Sequence, residues 1–318
     1  MLAAAVRALF VVDGTIADPA ARTRVHRLLP ALRGLGVEAE VLEPGPGRKW
    51  ELLRRARGAD VVVLQRVLPP RPLLRLLVRL NPALVFDFDD ALFTLPELRP
   101  RFDAVCEAAV EVVAGSAELA GALDRRATVV PTVVEPGDYT LAEHGDRPLR
   151  VGWIGTAGNL PYLEVVRPAL AGFELAVISS AAPAWPELRV HHVPWRLESA
   201  AAELAALDVG LAPLPDTPWT RGKCGLKALE CMASGLPVVA SPVGALATIV
   251  VPGETGFLAR DPTEWRAALE GLANDAELRR RLGSAGRRRV EERYSVGVAA
   301  PALAAVLERA ASARKRSA

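Results

Sequence analysis

Residues 151–159, VGWIGTAGN, run from a short apolar strand into a turn built on Gly155, Thr156, Ala157 and Gly158, with a helix predicted to start near Asn159. A strand that feeds a helix through a glycine turn is the repeating unit of a parallel α/β sheet. Glycine lets a ligand approach the backbone, and a helix N-terminus offers free N–H groups to an anion. A plain tight turn is the other reading. The glycines at 152, 155 and 158 do not fit G-x-G-x-x-G, and the next predicted strand ends in Ser179-Ser180 rather than in an acid for a dinucleotide ribose. A nicotinamide or flavin cofactor is disfavoured.

The same alternation extends in both directions. Downstream, strands are predicted at 150–154, 174–178, 188–193, 209–212, 237–240 and 256–258, with helices at 160–170, 197–207, 225–233, 263–274, 276–293 and 296–311. Upstream, strands are predicted at 8–12, 39–42, 60–65, 84–88, 110–114 and 128–130, with helices at 20–35, 50–57, 72–80 and 117–125. Several strands are apolar throughout, as strands covered on both faces are. Between the two series, residues 137–150 (GDYTLAEHGDRPLR) lose every hydrophobic period. The predicted architecture is α/β, two Rossmann-like doubly wound domains facing a cleft. The domains are 1–146 and 147–294, followed by a last helix with a basic tail at 295–318.

The length of 318 residues also suits two domains of about 150 each. A hydrophobic share of 51% with 24% charged residues excludes a largely disordered chain, and a net charge of +2 gives no field for nucleic acid. Three cysteines without a Cys-x-x-Cys pair argue against a disulfide framework or a zinc site and for a reducing, cytoplasmic compartment. The start, MLAAAVRALFVVDG, lacks a basic leader and reads as a first strand, and no run approaches the ~20 apolar residues of a membrane span.

Three further stretches carry chemistry. In DTPWTRGKCGLKALECMASGLPVVASPVGA, residues 216–245, Lys223, Lys227 and Glu230 are spaced four and three, one face of a predicted helix. Two cations at a helix N-terminus oppose the dipole unless an anion sits there, so a phosphate that accepts from backbone N–H groups and pairs with both lysines resolves the conflict. Only four lysines occur in the chain, which makes this pair stand out. An exposed charged face is the alternative. In LVFDFDDALF, residues 84–93, Asp87, Asp89 and Asp90 end an apolar strand, where carboxylates can bind sugar hydroxyls, hold a cation, act as a base, or simply cap the next turn. In PPRPLLRLLVRL, residues 69–80, Arg71, Arg75 and Arg79 form one stripe, with Leu73, Leu76, Leu77 and Leu80 opposite. That helix suits either an anionic membrane surface or an ordinary domain surface.

Residues 216–258 resemble the nucleotide-sugar domain of group 1 glycosyltransferases of the GT-B fold, the retaining superfamily often called family 4. The resemblance rests on KCGLKALECMASGLPVVASPVG followed by GETGFLA. RTRVHRLLPALRGLGVEAEVL, ADVVVLQR, FDFDDALF, ATVVPTVVEPGDY, GWIGT and RRVEERYSVGVAAPALAAVLER fall in the order of one bacterial branch, so the likeness covers nearly the whole chain. It implies a transferase that moves a sugar from a nucleoside diphosphate-sugar donor to an acceptor hydroxyl, with retention, in glycan, polysaccharide or glycolipid synthesis. It implies no metal and no cofactor beyond that co-substrate. The implied partner is a glycan or lipid-linked acceptor, with peripheral contact at the inner face of an anionic membrane.

The resemblance also implies that the last helix, within 295–318, crosses back to the first domain, and it assigns roles. Glu230 matches the second glutamate of Glu-x7-Glu, which binds the nucleotide ribose. Gly155 and Thr156 match the loop beside the diphosphate. Gly225 and Leu226 match positions whose amides face the diphosphate or sugar. Asp89 and Asp90 fall at the family's His-Asp pair and are the catalytic candidates. The first glutamate is replaced by Gly222, and the loop TAGNLPYL lacks the family's Arg and Lys. Arg221, Lys223 and Lys227 are the expected replacements. A nucleotide-sugar epimerase on the same fold and a non-catalytic sugar-nucleotide-binding scaffold are the alternatives.

Overall fold

Strands with two apolar faces need cover on both sides, and this requirement organises both halves of the chain. The computed structural model describes residues 5–145 and 148–317. It divides into two units, 1–133 with 222–224 and 296–318, and 134–221 with 225–295. The sequence-predicted boundary at 146/147 falls outside the described residues.

The first unit holds β1 (Val6–Val12), β2 (Val37–Leu42), β3 (Val61–Gln65), β4 (Leu84–Phe88), β5 (Glu111–Ala114) and β6 (Thr128–Val129). They form a parallel sheet in the order β2-β1-β3-β4-β5-β6. Alternation sends Ala8, Phe10 and Val12 to one face, where they meet Val25, Leu28 and Leu32 and the last helix, Val296–Ser317. That helix contributes Ala299, Ala300, Leu303, Ala304, Val306, Leu307 and Ala310 to the core. It corrects one expectation from sequence. The stretch Ala276–Lys315 contains a window long and apolar enough to cross a membrane, and 44% of that window is buried, with Ala299, Leu303 and Leu307 in the core alongside β1 and β3. On the opposite face Phe86 and Phe88 stack at 5.4 Å between centroids and meet Phe102 edge-on.

The second unit holds β7 (Arg150–Ile154), β8 (Glu174–Ser179), β9 (Arg189–Pro194), β10 (Val209–Ala212), β11 (Val238–Ala240) and β12 (Gly256–Leu258). Their order is β12-β11-β10-β7-β8-β9, all pairings parallel. This is the doubly wound dinucleotide-type order, whose switch point lies between β7 and β10. In the first unit the switch point lies between β1 and β3.

Several helices differ from the sequence reading. The expected helix at 20–35 breaks into Pro19–Ala21, a π turn at Arg22–His26, and Leu29–Gly34. The segment after β7 is not an α-helix. It forms 3₁₀ turns at Ala157–Val165 and Arg167–Ala169, because Pro161 and Pro168 have no N–H to donate. The helix Arg99–Ala108 has no counterpart in the sequence reading. On the helix Arg71–Leu80, Leu74 and Leu77 are buried, while Leu76 lies 42% exposed among Arg71, Arg75 and Arg79 rather than opposite them.

The π turn carries Arg24 inward to Asp87 on β4. Arg24 Nε lies 3.2 Å from Asp87 Oδ2, Nη2 pairs with Oδ1, and both side chains are buried. Burial works against the Arg24 charge, but Asp87 outweighs it and raises the guanidinium pKa further. Removing one member of such a pair strands the other. Asp87→Ala is expected to cost about 3–5 kcal/mol in urea unfolding, and an Arg24→Leu/Asp87→Leu double variant to recover most of that loss.

Candidate functional site

The carboxyl edge of each sheet collects the polar residues that the strands themselves exclude. In the first unit, Asp89 and Asp90 follow β4, Arg66 follows β3 and Asp13 follows β1. Arg66 Nη1 lies 2.9 Å from Asp90 Oδ2 and 3.7 Å from Asp89 Oδ1, and its Nε lies 3.4 Å from Asp13 Oδ2. The segment Gly222–Cys224, which clusters with this unit, supplies Lys223, whose Nζ lies 2.8 Å from Asp90 Oδ1. The Cys224 thiol donates to the Asp89 carbonyl at 3.2 Å. Gly115 at the end of β5 leaves room for this approach, since a Cβ there would sit 2.7 Å from Cys224 Sγ.

Asp89 is the perturbed group of the cluster. Burial, then the neighbouring Asp90 charge, push its carboxyl up to about 6, against the pull of Arg66 and Arg24. Its Oδ1 is buried and has no hydrogen-bond partner. The thiols are poor nucleophiles by contrast: burial raises all three, Cys106 to about 12. Among the described residues no group of three or more His, Cys, Asp or Glu side chains is arranged to hold a metal ion.

In the second unit the switch point is framed by Gly155 and Thr156 after β7 and by the loop after β10. Trp153 is fully buried, and Lys227 Nζ lies 4.4 Å from its ring centroid, a cation–π contact. The Lys227 stem passes across Gly155, where a Cβ would sit 2.6 Å from Lys227 Cε and 2.7 Å from the Trp153 ring. Gly155 therefore lets a cation reach the end of β7. Thr156 Oγ1 accepts from Asn159 Nδ2 at 3.0 Å, which closes the turn. Glu230 Oε1 accepts from Tyr139 Oη at 3.3 Å.

The structure separates residues that the sequence reading grouped. The helix is Leu226–Ala233, and Gly225, at φ +72°, turns the chain just before it. Lys223 therefore precedes the helix and does not share its face with Lys227 and Glu230. Arg221 makes an exposed two-pronged pair with Asp216, at 2.6 and 3.0 Å. Gly222 packs on Ala91, where a Cβ would lie 2.5 Å from the Ala91 Cβ, so this backbone has no room for the glutamate that the resemblance would put there. Arg24, Arg66 and Tyr139 went unnoticed in the sequence. Arginine supplies nearly all the cations, so no single one signals a role.

Residues 162–275 match the family described as Glycosyl transferases group 1. A D-inositol 3-phosphate glycosyltransferase of Corynebacterium diphtheriae is 51% identical over 63 residues, 19% of this chain and 15% of that protein. A second, from Geodermatophilus obscurus, is 40% identical over 98 residues, 30% of this chain and 20% of that protein. The chain thus aligns with a fifth or less of the length of these relatives. Among solved structures, a sucrose-phosphate synthase from Thermosynechococcus elongatus superposes with a TM-score of 0.76 at 18% identity, covering 97% of this chain and all of that one. Anabaena HepE in complex with UDP superposes with a TM-score of 0.70 at 16% identity, covering 96% of this chain and all of that one. The fold is the two-domain α/β fold of GT-B glycosyltransferases.

The raised Asp89 carboxyl has a thermodynamic signature. Its ionisation disfavours the folded state, so the stability present below about pH 4 is lost as pH rises through about 6. Asp89→Asn is expected to melt higher than the parent at pH 7, by about 1–3 kcal/mol, with the difference gone below about pH 4. Calorimetry across that range checks it.

Proposed function

We propose that this chain is a glycosyltransferase that moves a sugar from a nucleoside diphosphate-sugar donor to an acceptor hydroxyl, with retention, in glycan or cell-envelope glycolipid synthesis. The observation that carries the reading is the cation at the switch point of the second unit. Lys227, braced on Trp153 and crossing Gly155, sits at the end of β7, where doubly wound sheets bind ligands. The match of residues 162–275 to group 1 glycosyltransferases supports a donor diphosphate as the ligand of this site.

On this reading Lys227, with the backbone of Gly155, Thr156, Gly225 and Leu226, meets the negative charge that builds on the leaving nucleoside diphosphate. Glu230, oriented by Tyr139, accepts the ribose hydroxyls. Asp89 and Asp90 serve the sugar or acceptor side. Arg221 and Lys223 join the diphosphate only by leaving Asp216 and Asp90. The reaction needs no metal, because protein cations and N–H groups carry the charge. The UDP complex of HepE makes UDP and UDP-glucose the first probes.

A ligand that binds only the folded chain raises its melting temperature, by about 2.7 kcal/mol of stability at one hundred times Kd. UDP or another nucleoside diphosphate is expected to raise Tm by several degrees, and Lys227→Ala and Glu230→Ala to abolish most of the rise. Release of the nucleotide from its sugar donor on adding acceptor would then identify the reaction. No shift with any nucleoside diphosphate, in a chain that folds normally, would count against the reading.

The acceptor side extends the proposal to an anionic membrane. Arg71, Arg75 and Arg79 are exposed with Leu76 beside them, a cationic stripe with an apolar side chain for the headgroup boundary. Vesicles containing phosphatidylglycerol are expected to bind the chain, and Arg71→Glu/Arg75→Glu/Arg79→Glu to weaken that binding at least tenfold. Equal binding to neutral phosphatidylcholine vesicles would rule out this contact.

A further inference from the structure

Arg66 ends β3 in a backbone state that residues with a Cβ seldom adopt. Its φ of +58° makes it the one non-glycine residue in the left-handed region among the described residues. The conformation has a clear structural use. The Arg66 N–H donates to the Asp87 carbonyl at 2.8 Å, and the side chain turns back along the carboxyl edge of the sheet toward three carboxylates from two other strand ends. Strain of this kind persists only where the surroundings hold it, and it concentrates at functional sites.

The two aspartates that Arg66 faces are treated differently. Asp90 has both oxygens occupied, Oδ1 by Lys223 Nζ at 2.8 Å and Oδ2 by Arg66 Nη1 at 2.9 Å. Asp89 has only a long approach from Arg66 at 3.7 Å, and its buried Oδ1 has no hydrogen-bond partner. A buried carboxylate oxygen without a donor is costly, and at the carboxyl edge of a doubly wound sheet a ligand donor relieves that cost.

We propose that Arg66 is a positioning residue that divides the two aspartates by role. It fixes Asp90 as a strut with both oxygens paired and leaves Asp89 as the carboxyl that meets a ligand hydroxyl. The identity of that ligand, a sugar of donor or acceptor, rests on the glycosyltransferase reading, whereas the division itself does not. The charged groups around Asp89 come from several elements. Asp87 and Asp90 share the end of β4 with it, Arg24 reaches in from the π turn, and Arg66 from β3, itself flanked by Asp13 and Asp18. Lys223 and the Cys224 thiol approach from the segment Gly222–Cys224. Arg66 lies 3.7 Å from that oxygen and pulls the Asp89 carboxyl down more than Arg24 does, so its removal should be felt there.

The test is the titration of Asp89 itself, in the full chain without ligand. With carboxyl-labelled aspartate and the Asp89 resonance assigned through Asp89→Asn, the signal is followed by NMR from about pH 4 to 8. The expected midpoint in the parent chain lies near 6. In Arg66→Gly, where glycine accepts the left-handed backbone, the midpoint should rise by roughly one pH unit or more. In Asp90→Asn it should fall, and in Arg66→Lys it should return most of the way to the parent value. If Arg66→Gly does not fold, Arg66→Lys against Asp90→Asn carries the same comparison. An Asp89 midpoint that Arg66→Gly leaves in place, or one already in the ordinary carboxylate range in the parent, overturns the proposal. This holds whether or not the chain binds UDP, so failure of the glycosyltransferase reading and failure of this inference are told apart.

Discussion

Three carboxylates stand within four positions at the end of β4, and a buried strand end cannot leave them unneutralised. Asp87, Asp89 and Asp90 follow a run that is apolar on both faces, so their charges must be met by cations brought from elsewhere. Each cation arrives through an irregularity. Arg24 comes from a π turn that interrupts a helix. Arg66 comes from a left-handed residue that ends a strand. Lys223 comes from three residues of the second half of the sequence that cluster with the first unit. The departures from regular geometry in this unit are thus the paths by which charge is delivered to one strand end.

The second unit brings a cation to a strand end by a different route. Lys227 lies over the face of a buried indole, which attracts the cation and braces its stem at the end of β7. The missing side chain of Gly155 is part of the same device, since any Cβ there would push the lysine stem away.

The strands were legible because apolar runs bounded by glycine and polar clusters have few other readings. Leu84–Phe88, Arg150–Ile154, Val209–Ala212 and Gly256–Leu258 lie where the sequence reading has them. The helices were less so. Pro161 and Pro168 turn the segment after β7 into 3₁₀ geometry, yet an apolar spacing count sees only its leucines and valines. Of the site, the aspartates after β4 and the Lys227–Glu230 spacing were visible as patterns of residue type. The split between Lys223 and Lys227 was not, because it turns on the positive φ of Gly225. Nor was the role of Arg66, which depends on a backbone angle and on partners far apart in the chain.

The last helix has a consequence for how the chain comes to be folded as it is made. Its alanines and leucines complete the core around Phe10, Val63 and Val85, yet they lie beyond Val296, after the whole of the second unit. The first half of the sheet therefore emerges with one apolar face uncovered and waits for the end of the chain. The second unit, continuous but for three residues, can close without that delay. Contacts of such long sequence separation are slow to form, so the usual order of maturation is inverted. The half synthesised first is the half finished last, and until then its apolar face stays open to non-native contacts.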